Sequence, residues 1–525
     1  MLLSALENKS FYHLLLFGMI MAPSIGVPSK RPLEETLVKS PAVNGSAHQD
    51  YGHQRSKTRQ RRSEGKAIPQ ALLNALYSES AAAKLWNVAH KALGSVEPPT
   101  LYPEYTDKKD FQYIYRALDF WTSGFFPGSL YLLLERQVRF SSTANSGVKP
   151  HPLQLQHLCQ WWTVNLHQNA TIKNTHDLGF MIAPWAMKAW SLHQDSQAYC
   201  SLVLAAYSLA SRFDARVQSL RSWDVCYTKR YSYDDPSKDF LVIIDNMLNL
   251  DLLFWAAKHT GDNSLREIAI VHAKTSQKHH IRPDNTTYHV VNFDVETGLP
   301  KSKFTNQGYS DESCWARGQS WGILGFMQTY GWTQDPSFLD TARKLADLFV
   351  SKLPEDNVPY WDFDAPVEEA SPRDTSAAMV TCCGLVLLYK ALKDTEESIA
   401  AQHYLDIALR ILNGVVTNYM APSTPRFKVD TSASAVPTYP ENLSEKQQQH
   451  GMLTVTVENL QGGLTTGHSL GKHAETILTG ATINNYEFAP RRWSDHGLVY
   501  ADYYFMLLGN MLLDMGLVDV NDLDW

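Results

Sequence analysis

Residues 240–256 read FLVIIDNMLNLDLLFWA, a stretch built for burial that nevertheless admits an acid, Asp245, after four aliphatic residues. On a helical wheel Asp245 and Asn249 lie one turn apart on the same face, with Asn246 close by, while Leu248, Leu252 and Trp255 point elsewhere. A helix that is apolar nearly all round is a buried helix. An ionised carboxylate taken out of water is costly unless it is paired or hydrogen-bonded, and otherwise its pKa shifts until it is neutral. Two readings meet that requirement. Asp245 faces a cavity enclosed by buried helices, or it opens its helix as an N-cap accepting backbone N–H bonds, a role that the β-branched residues just before it would suit.

Outward from this stretch, apolar residues recur at three- and four-residue spacing in segment after segment, as in ALLNALYSESAAAKLWNVAHKAL (71–93), LQLQHLCQWWTVNL (153–166), SLVLAAYSLASRF (201–213) and FLDTARKLADLFVSKL (338–353). Further helical runs cover about 180–192, 243–259, 265–279, 318–330, 375–392, 399–416 and 498–517, giving roughly twelve helices. Strand-like alternation is scarce; TYHVVNFD (287–294) is the clearest case and sits between helical runs as a β-hairpin would. The expected fold is all-α. A closed toroid of six inner and six outer helices accounts for the length, although period alone does not separate it from an open solenoid. Residues 421–486 are polar and rich in Gln and Gly, and are expected as a long loop excursion from a domain spanning 67–525.

Residues 1–26 contain FYHLLLFGMIMAPSIG, a hydrophobic core too short for a comfortable membrane span, and read as a secretory signal. Residues 27–66 lack periodicity and include RQRR at 59–62, the pattern of a disordered pro-segment closed by a dibasic site. A secreted, extracellular protein without stable membrane insertion is therefore expected, and the triplets at Asn44, Asn169, Asn285 and Asn442 suit glycosylation. Six cysteines do not make a disulfide scaffold in a chain this long, and Cys382 and Cys383 read as buried thiols. Net charge is −7; nine Lys/Arg against four Asp/Glu in 29–66 leave −12 for the remainder, which argues against a nucleic-acid partner. An anionic ligand would have to be held by a few local donors.

A second acid stands in NTHDLGFMIAPW: Asp177 follows His176 and heads another apolar run. Two acids heading two apolar helices, in a chain with 14 Trp and 25 Tyr, suggest acid–base work on a carbohydrate. The sequence has no HExxH and no P-loop. In YDDPSKD (233–239) Pro236 interrupts the helix a metal-binding spacing would need, and Lys278, His279 and His280 read as a solvated helix end. No metal and no cofactor are expected.

Five blocks in order, HDLGF (176–180), IIDNMLNL (243–250), NQGYSDESCWARGQSWGILGF (306–326), YWDFDAP with RDTSAA (360–378) and ADYYF (501–505), resemble glycoside hydrolase family 88, the unsaturated glucuronyl hydrolases, over about 121–517. The resemblance implies an (α/α)6 barrel. It implies a hydrolase for oligosaccharides that carry a terminal 4,5-unsaturated uronic acid, the residue left by polysaccharide lyases, with hydration of the C4=C5 bond in place of attack at the anomeric carbon. It assigns Asp245 as the acid and later base, assisted by Asp177. His176, His289, Gln307, Trp315 and Arg317 fall in blocks that line the sugar pocket; Trp121, Trp223 and Trp361 are candidates for stacking, and Arg317 for pairing with an anionic ligand. Two departures bear on substrate preference. WTSGF (121–125) carries Ser123 where an acid is common, and Asn306 stands where His often precedes the Gln. They motivate one alternative, a sugar-binding barrel without catalysis; a second is the related class of hydrolases that use similar chemistry on unsaturated rhamnogalacturonyl pectin fragments.

Overall fold

The computed structural model describes residues 68–140, 148–429, 455–459 and 474–523; the expected signal, the pro-segment with RQRR, Asn44 and Asn442 lie outside them. The helices are α1 (Gln70–Leu76), α2 (Glu79–Lys91), α3 (Phe125–Arg139), α4 (Pro152–Thr163), α5 (Leu178–His193), α6 (Ser196–Ala210) and α7 (Asn246–Thr260). They continue with α8 (Asn263–His279), α9 (Ala316–Thr333), α10 (Pro336–Ser351), α11 (Thr375–Leu392), α12 (Ser398–Tyr419) and α13 (Val499–Asp514).

The odd-numbered helices from α3 to α13 pack in succession, and α13 returns to α3, so six inner helices close a ring. Outside it α4, α6, α8, α10 and α12 each lie on the preceding inner helix, and α2 packs against α3 and α4. An open solenoid is thereby excluded. Sequence composition explains the two layers. The inner α3 buries every residue from Phe125 to Gln137, whereas α10 buries only Phe338, Thr341, Ala342, Leu345, Ala346 and Phe349, one stripe at helical spacing. The inner α11 is long and apolar enough to cross a membrane, with mean hydropathy 1.6, but 78% of it is buried within the protein.

Three inner-to-outer turns share one device. Gln194, Gly261 and Gln334 end α5, α7 and α9 in the left-handed conformation, and the next residue, Asp195, Asp262 or Asp335, caps the following helix through its carboxylate. Turns this short force the paired helices antiparallel, so the inner helices all enter from one end of the barrel.

Several expected boundaries move. The run at 71–93 is two helices, because Ser78 Oγ accepts the Ala81 amide and starts α2 afresh. Inner helix α3 is not among the expected runs; it carries Pro127 in its first turn, where proline is tolerated. The run expected from 243 begins instead as a strand, Asp239–Ile243, pairing antiparallel with Val290–Asp294, which also pairs with Pro300–Phe304. Thus 287–294 contributes one strand of the expected hairpin, with Pro300–Phe304 as the other, and that hairpin is extended by Asp239–Ile243 into a three-stranded sheet. Within 421–486, Pro425–Val429 and Val455–Asn459 form a hairpin against α2, and Ile477, Leu478, Ala481 and Tyr486 are buried. Asn169, one of the glycosylation triplets, is 1% exposed with its Nδ2 donating to Leu118 O at 2.6 Å, so the folded chain offers no glycan attachment there.

Candidate active site

The sheet brings the first acid and its neighbour together. Ile243 pairs with Val290, the Ile244 amide donates to His289 O, and Asp245 follows as the residue before α7. Although Asp245 occupies the N-cap position, its side chain makes no cap bond. Its Oδ2 is buried without a hydrogen-bond partner, 3.8 Å from His289 Nε2, and 13% of the side chain is exposed. Asp177 likewise precedes α5 without capping it; Thr175 Oγ1 donates to its Oδ2 at 2.5 Å, and His176 Nε2 lies 3.2 Å from Oδ1. Both acids therefore stand at helix heads and are kept for something other than capping.

A short segment locks the two heads to each other. Ser222 O accepts the His176 amide, the Ser222 amide donates to Leu241 O, and Trp223 bridges Thr175 on one side and Leu241 on the other. Between the neighbouring inner helices α5 and α7, Asn249 Nδ2 is 3.5 Å from His176 Nδ1. That closeness needs a glycine: a Cβ on Gly179 would sit 2.5 Å from Asn249 Oδ1 and 2.7 Å from its Cα. Gly179→Ala is expected to push α5 from α7, costing about 1–3 kcal/mol and lowering turnover per folded molecule. Gly384→Ala, which would meet Ile323 Cγ2 at 2.7 Å between α9 and α11, is expected to cost stability while sparing turnover. Thermal midpoints together with rates on folded protein check both.

The two carboxylates are driven apart in protonation. Burial pushes Asp245 up to about 6, against the positive fields of His176 and Arg317, and the charge on Asp177 adds to the rise. Burial pushes Asp177 up too, but His176, the Thr175 hydroxyl and Arg212 outweigh it and hold that carboxyl below its ordinary value. Arg212, which no motif marked, is fixed by Ser222 O and by Asp224 at 2.9 Å. His289 is held neutral, with burial and the Arg317 charge both pushing its pKa well below the ordinary value. Its Nδ1 accepts the Asn306 amide at 3.1 Å, so the proton sits on Nε2, facing Asp245.

Of the other expected site residues, Trp315 lies against the His289 ring at 4.6 Å and carries a buried, unpartnered Nε1. Trp223 meets His289 edge-on at 5.9 Å, and Trp121 is half-buried beside Tyr500 at 5.1 Å. Gln307 donates to Ile483 O at 3.2 Å. Arg317 stands differently from its expected role. Its Nη1 pairs with Asp374 Oδ2 at 2.7 Å and bonds Thr482 O, while Nη2 donates to Ile483 O at 2.5 Å. The guanidinium is a buried clamp stacked between Trp315 (4.6 Å) and Tyr500 (5.4 Å), with its charge already balanced. Trp361 is 4% exposed and bonds through its backbone to Ala316 and Pro372, a structural crossing at the head of α9 rather than an open stacking face.

Several buried polar atoms at this end have no hydrogen-bond partner among the described residues: Asp245 Oδ2, His289 Nε2, Trp315 Nε1, Tyr500 Oη, Asn249 Oδ1 and Asn306 Oδ1. Such atoms are uncommon in native interiors, and a concentration of them marks a place where a polar ligand or water completes the set. Tyr500 was missed because its block, ADYYF, begins one residue later. Among the described residues no group of three or more His, Cys, Asp or Glu side chains is arranged to hold a metal ion. Beside Asp177 an open pocket of about 320 Å³ reaches outward past Trp121, Phe120 and Asp119.

No family model matches the chain. It is 38% identical over 296 residues to an unsaturated glucuronyl hydrolase of Formosa agariphila, covering 56% of this chain and 67% of that protein. It is 32% identical over 298 residues to an unsaturated chondroitin disaccharide hydrolase of Streptococcus agalactiae, covering 56% and 70%. Among solved structures it resembles the unsaturated glucuronyl hydrolase of Bacillus sp. GL1, described as responsible for the degradation of glycosaminoglycan, with a TM-score of 0.63 and 25% identity over 84% of this chain and 97% of that one. A heparin-specific unsaturated glucuronyl hydrolase gives a TM-score of 0.63 and 25% identity over 85% and 99%.

Proposed function

The chain belongs to the unsaturated glucuronyl hydrolases, glycoside hydrolase family 88, and on that premise we propose that Asp245 works as general acid and base, with Asp177 beside it, in hydrating the C4=C5 bond of a terminal unsaturated uronic acid. It is a glycoside hydrolase acting on unsaturated uronic-acid oligosaccharides. The observation that carries the finer reading is a pair of helix-head aspartates, neither used as a cap, whose carboxyls are shifted in opposite directions, Asp245 raised to about 6 and Asp177 lowered.

In the proposed sequence protonated Asp245 gives its proton to C4, and the double-bond electron pair forms the new C–H bond. Positive charge then spreads over C5 and the ring oxygen. Ionised Asp177 offsets it. Water adds at C5 and returns a proton to the Asp245 carboxylate, which restores the acid. The resulting hemiketal opens, and the rest of the oligosaccharide leaves as an alcohol. Neutral His289, with its proton on Nε2, is a donor for the substrate or the incoming water and cannot compete with Asp245 for the transferred proton. Ser123 and Asn306 leave this chemistry in place: Ser123 is buried, with its Oγ 3.5 Å from Asn169 Nδ2, and Asn306 acts on His289 through its backbone.

The test is to mix the protein with a lyase-generated unsaturated disaccharide and follow the near-UV absorbance of the conjugated double bond. Absorbance is expected to decay; persistence on every glycan type tried would contradict the reading. Because the reactive form has Asp245 protonated, the rate is expected to fall about tenfold per pH unit above its folded pKa of about 6. A pH–rate profile flat from 5 to 8 would show that a different group supplies the proton.

A further inference from the structure

The pocket beside Asp177 is open, mixes polar and apolar lining, and has no Lys or Arg among its lining residues. Asp245 and Asp177 keep 13% and 15% of their side chains accessible, whereas Asp119 and Asn174 are exposed, so the reacting end is the deep one and the pocket widens outward from Asp177. A uronic acid at a chain terminus must enter first to reach Asp245; the sugar attached to it then lies toward the opening. At about 320 Å³ the pocket is at the small end of ligand sites, which run about 300–1,000 Å³, enough for one further ring rather than an extended chain.

Resting on the reaction proposed above, we infer that this pocket seats the sugar next to the uronate and selects a neutral or amine-bearing ring over a sulfated one, with Asp119 as the selecting residue. The lining explains the selection. Asp119 and Asp177 supply two carboxylates, Asn174 and Thr175 an amide and a hydroxyl, and Phe120 and Trp121 aromatic surface; no lining residue is Lys or Arg. Arg116, 5.5 Å from the Phe120 ring, is already bonded to Glu104, so its charge is balanced. A sulfate here would meet negative charge in a partly enclosed space, where repulsion is stronger than in bulk water and no fork of donors offsets it. A hydroxyl or acetamido group meets hydrogen-bond partners, and an ammonium meets opposite charge and aromatic faces.

The experiment compares kcat/KM at low ionic strength for an unsaturated uronyl–N-acetylhexosamine, its 6-O-sulfated counterpart and an unsaturated uronyl–hexosamine with a free amine. The sulfated substrate is expected to be about tenfold poorer than the neutral one, the free amine at least as good as the neutral one, and added salt to shrink the gap. Asp119→Asn is expected to narrow the sulfated-to-neutral ratio to within about threefold, chiefly through KM. Equal or faster turnover of the sulfated substrate, or a ratio unmoved by Asp119→Asn, overturns the inference while leaving the reaction standing. Failure on all three substrates overturns the reaction, and the inference with it.

Discussion

Asp245→Asn is expected to lower turnover by about 10²- to 10⁴-fold and, above pH 6, to make the protein more stable. The two effects share one cause. Asp245 is raised from 3.8 to about 6 chiefly by burial, so the folded protein binds its proton more tightly than the unfolded chain does. A carboxyl shifted upward favours folding below its unfolded pKa, and that contribution is lost as pH rises through the folded value. Between pH 4 and 6 the wild type should therefore lose stability that Asp245→Asn keeps. At 1.36 kcal/mol per pKa unit the difference approaches roughly 3 kcal/mol at pH 8. Asn cannot supply the proton, yet it has almost the same shape and removes the charge. Urea midpoints for the two proteins at pH 4.5 and pH 8 check the prediction: a gap of about 1 kcal/mol at the lower pH widening to about 3 kcal/mol at the higher. A variant less stable than wild type at pH 8 would mean that the ionised carboxylate is stabilised by contacts that outweigh its burial.

Arg317→Met is expected to be the most destabilising single change at this end of the barrel, about 3–5 kcal/mol, because it leaves Asp374 charged, buried and unpaired. Asp374 Oδ1 also caps α11 at the Ser376 amide, so disturbance of the pair reaches the head of an inner helix directly. Carbonyls 482 and 483 lose their donor at the same time. A second readout separates this from simple loss of fold. Since the Arg317 charge holds Asp245 down, its removal should move the pH midpoint of any remaining activity above that of the wild type. Arg317→Lys is expected to recover part of the pH effect and little of the stability, because an ammonium cannot reproduce bonds that diverge from two guanidinium nitrogens. A stable Arg317→Met protein with an unshifted profile would show that the clamp neither supports the barrel nor acts on Asp245.

Long helices with clear periodicity were legible from sequence: the run at 375–392 coincides with α11, and 265–279 falls within α8. Where the chain is short and uniformly apolar the same signal fails. FLVII at 240–244 fits a buried strand as well as a helix, and only its pairing with Val290–Asp294, some fifty residues on, decides for the strand. Helix α3 hid behind Pro127 and Gly128, residues that mark turns unless a neighbouring helix needs close approach; a Cβ on Gly128 would lie 2.8 Å from both Pro184 and Tyr503. Asp245 and Asp177 stood out because each acid interrupts an apolar context, a local signal. The role of Arg317 was not local. Its acceptors, Asp374, Thr482 and Ile483, lie 57 to 166 residues away, and two are backbone carbonyls, which no residue type announces. Trp361 carries a similar ambiguity, since a tryptophan reads alike in sequence whether it faces a sugar or a packed helix head.

The most direct test is a titration of the aspartate side chains by NMR with carboxyl-labelled Asp, the two resonances being assigned by their loss in Asp245→Asn and Asp177→Asn. One carboxyl is expected to titrate near 6 and its neighbour below the ordinary 3.8, with the upper midpoint matching that of the rate. If both titrate together near 4, the deep pit holds no protonated acid at working pH, and the account of how this barrel opens a double bond fails.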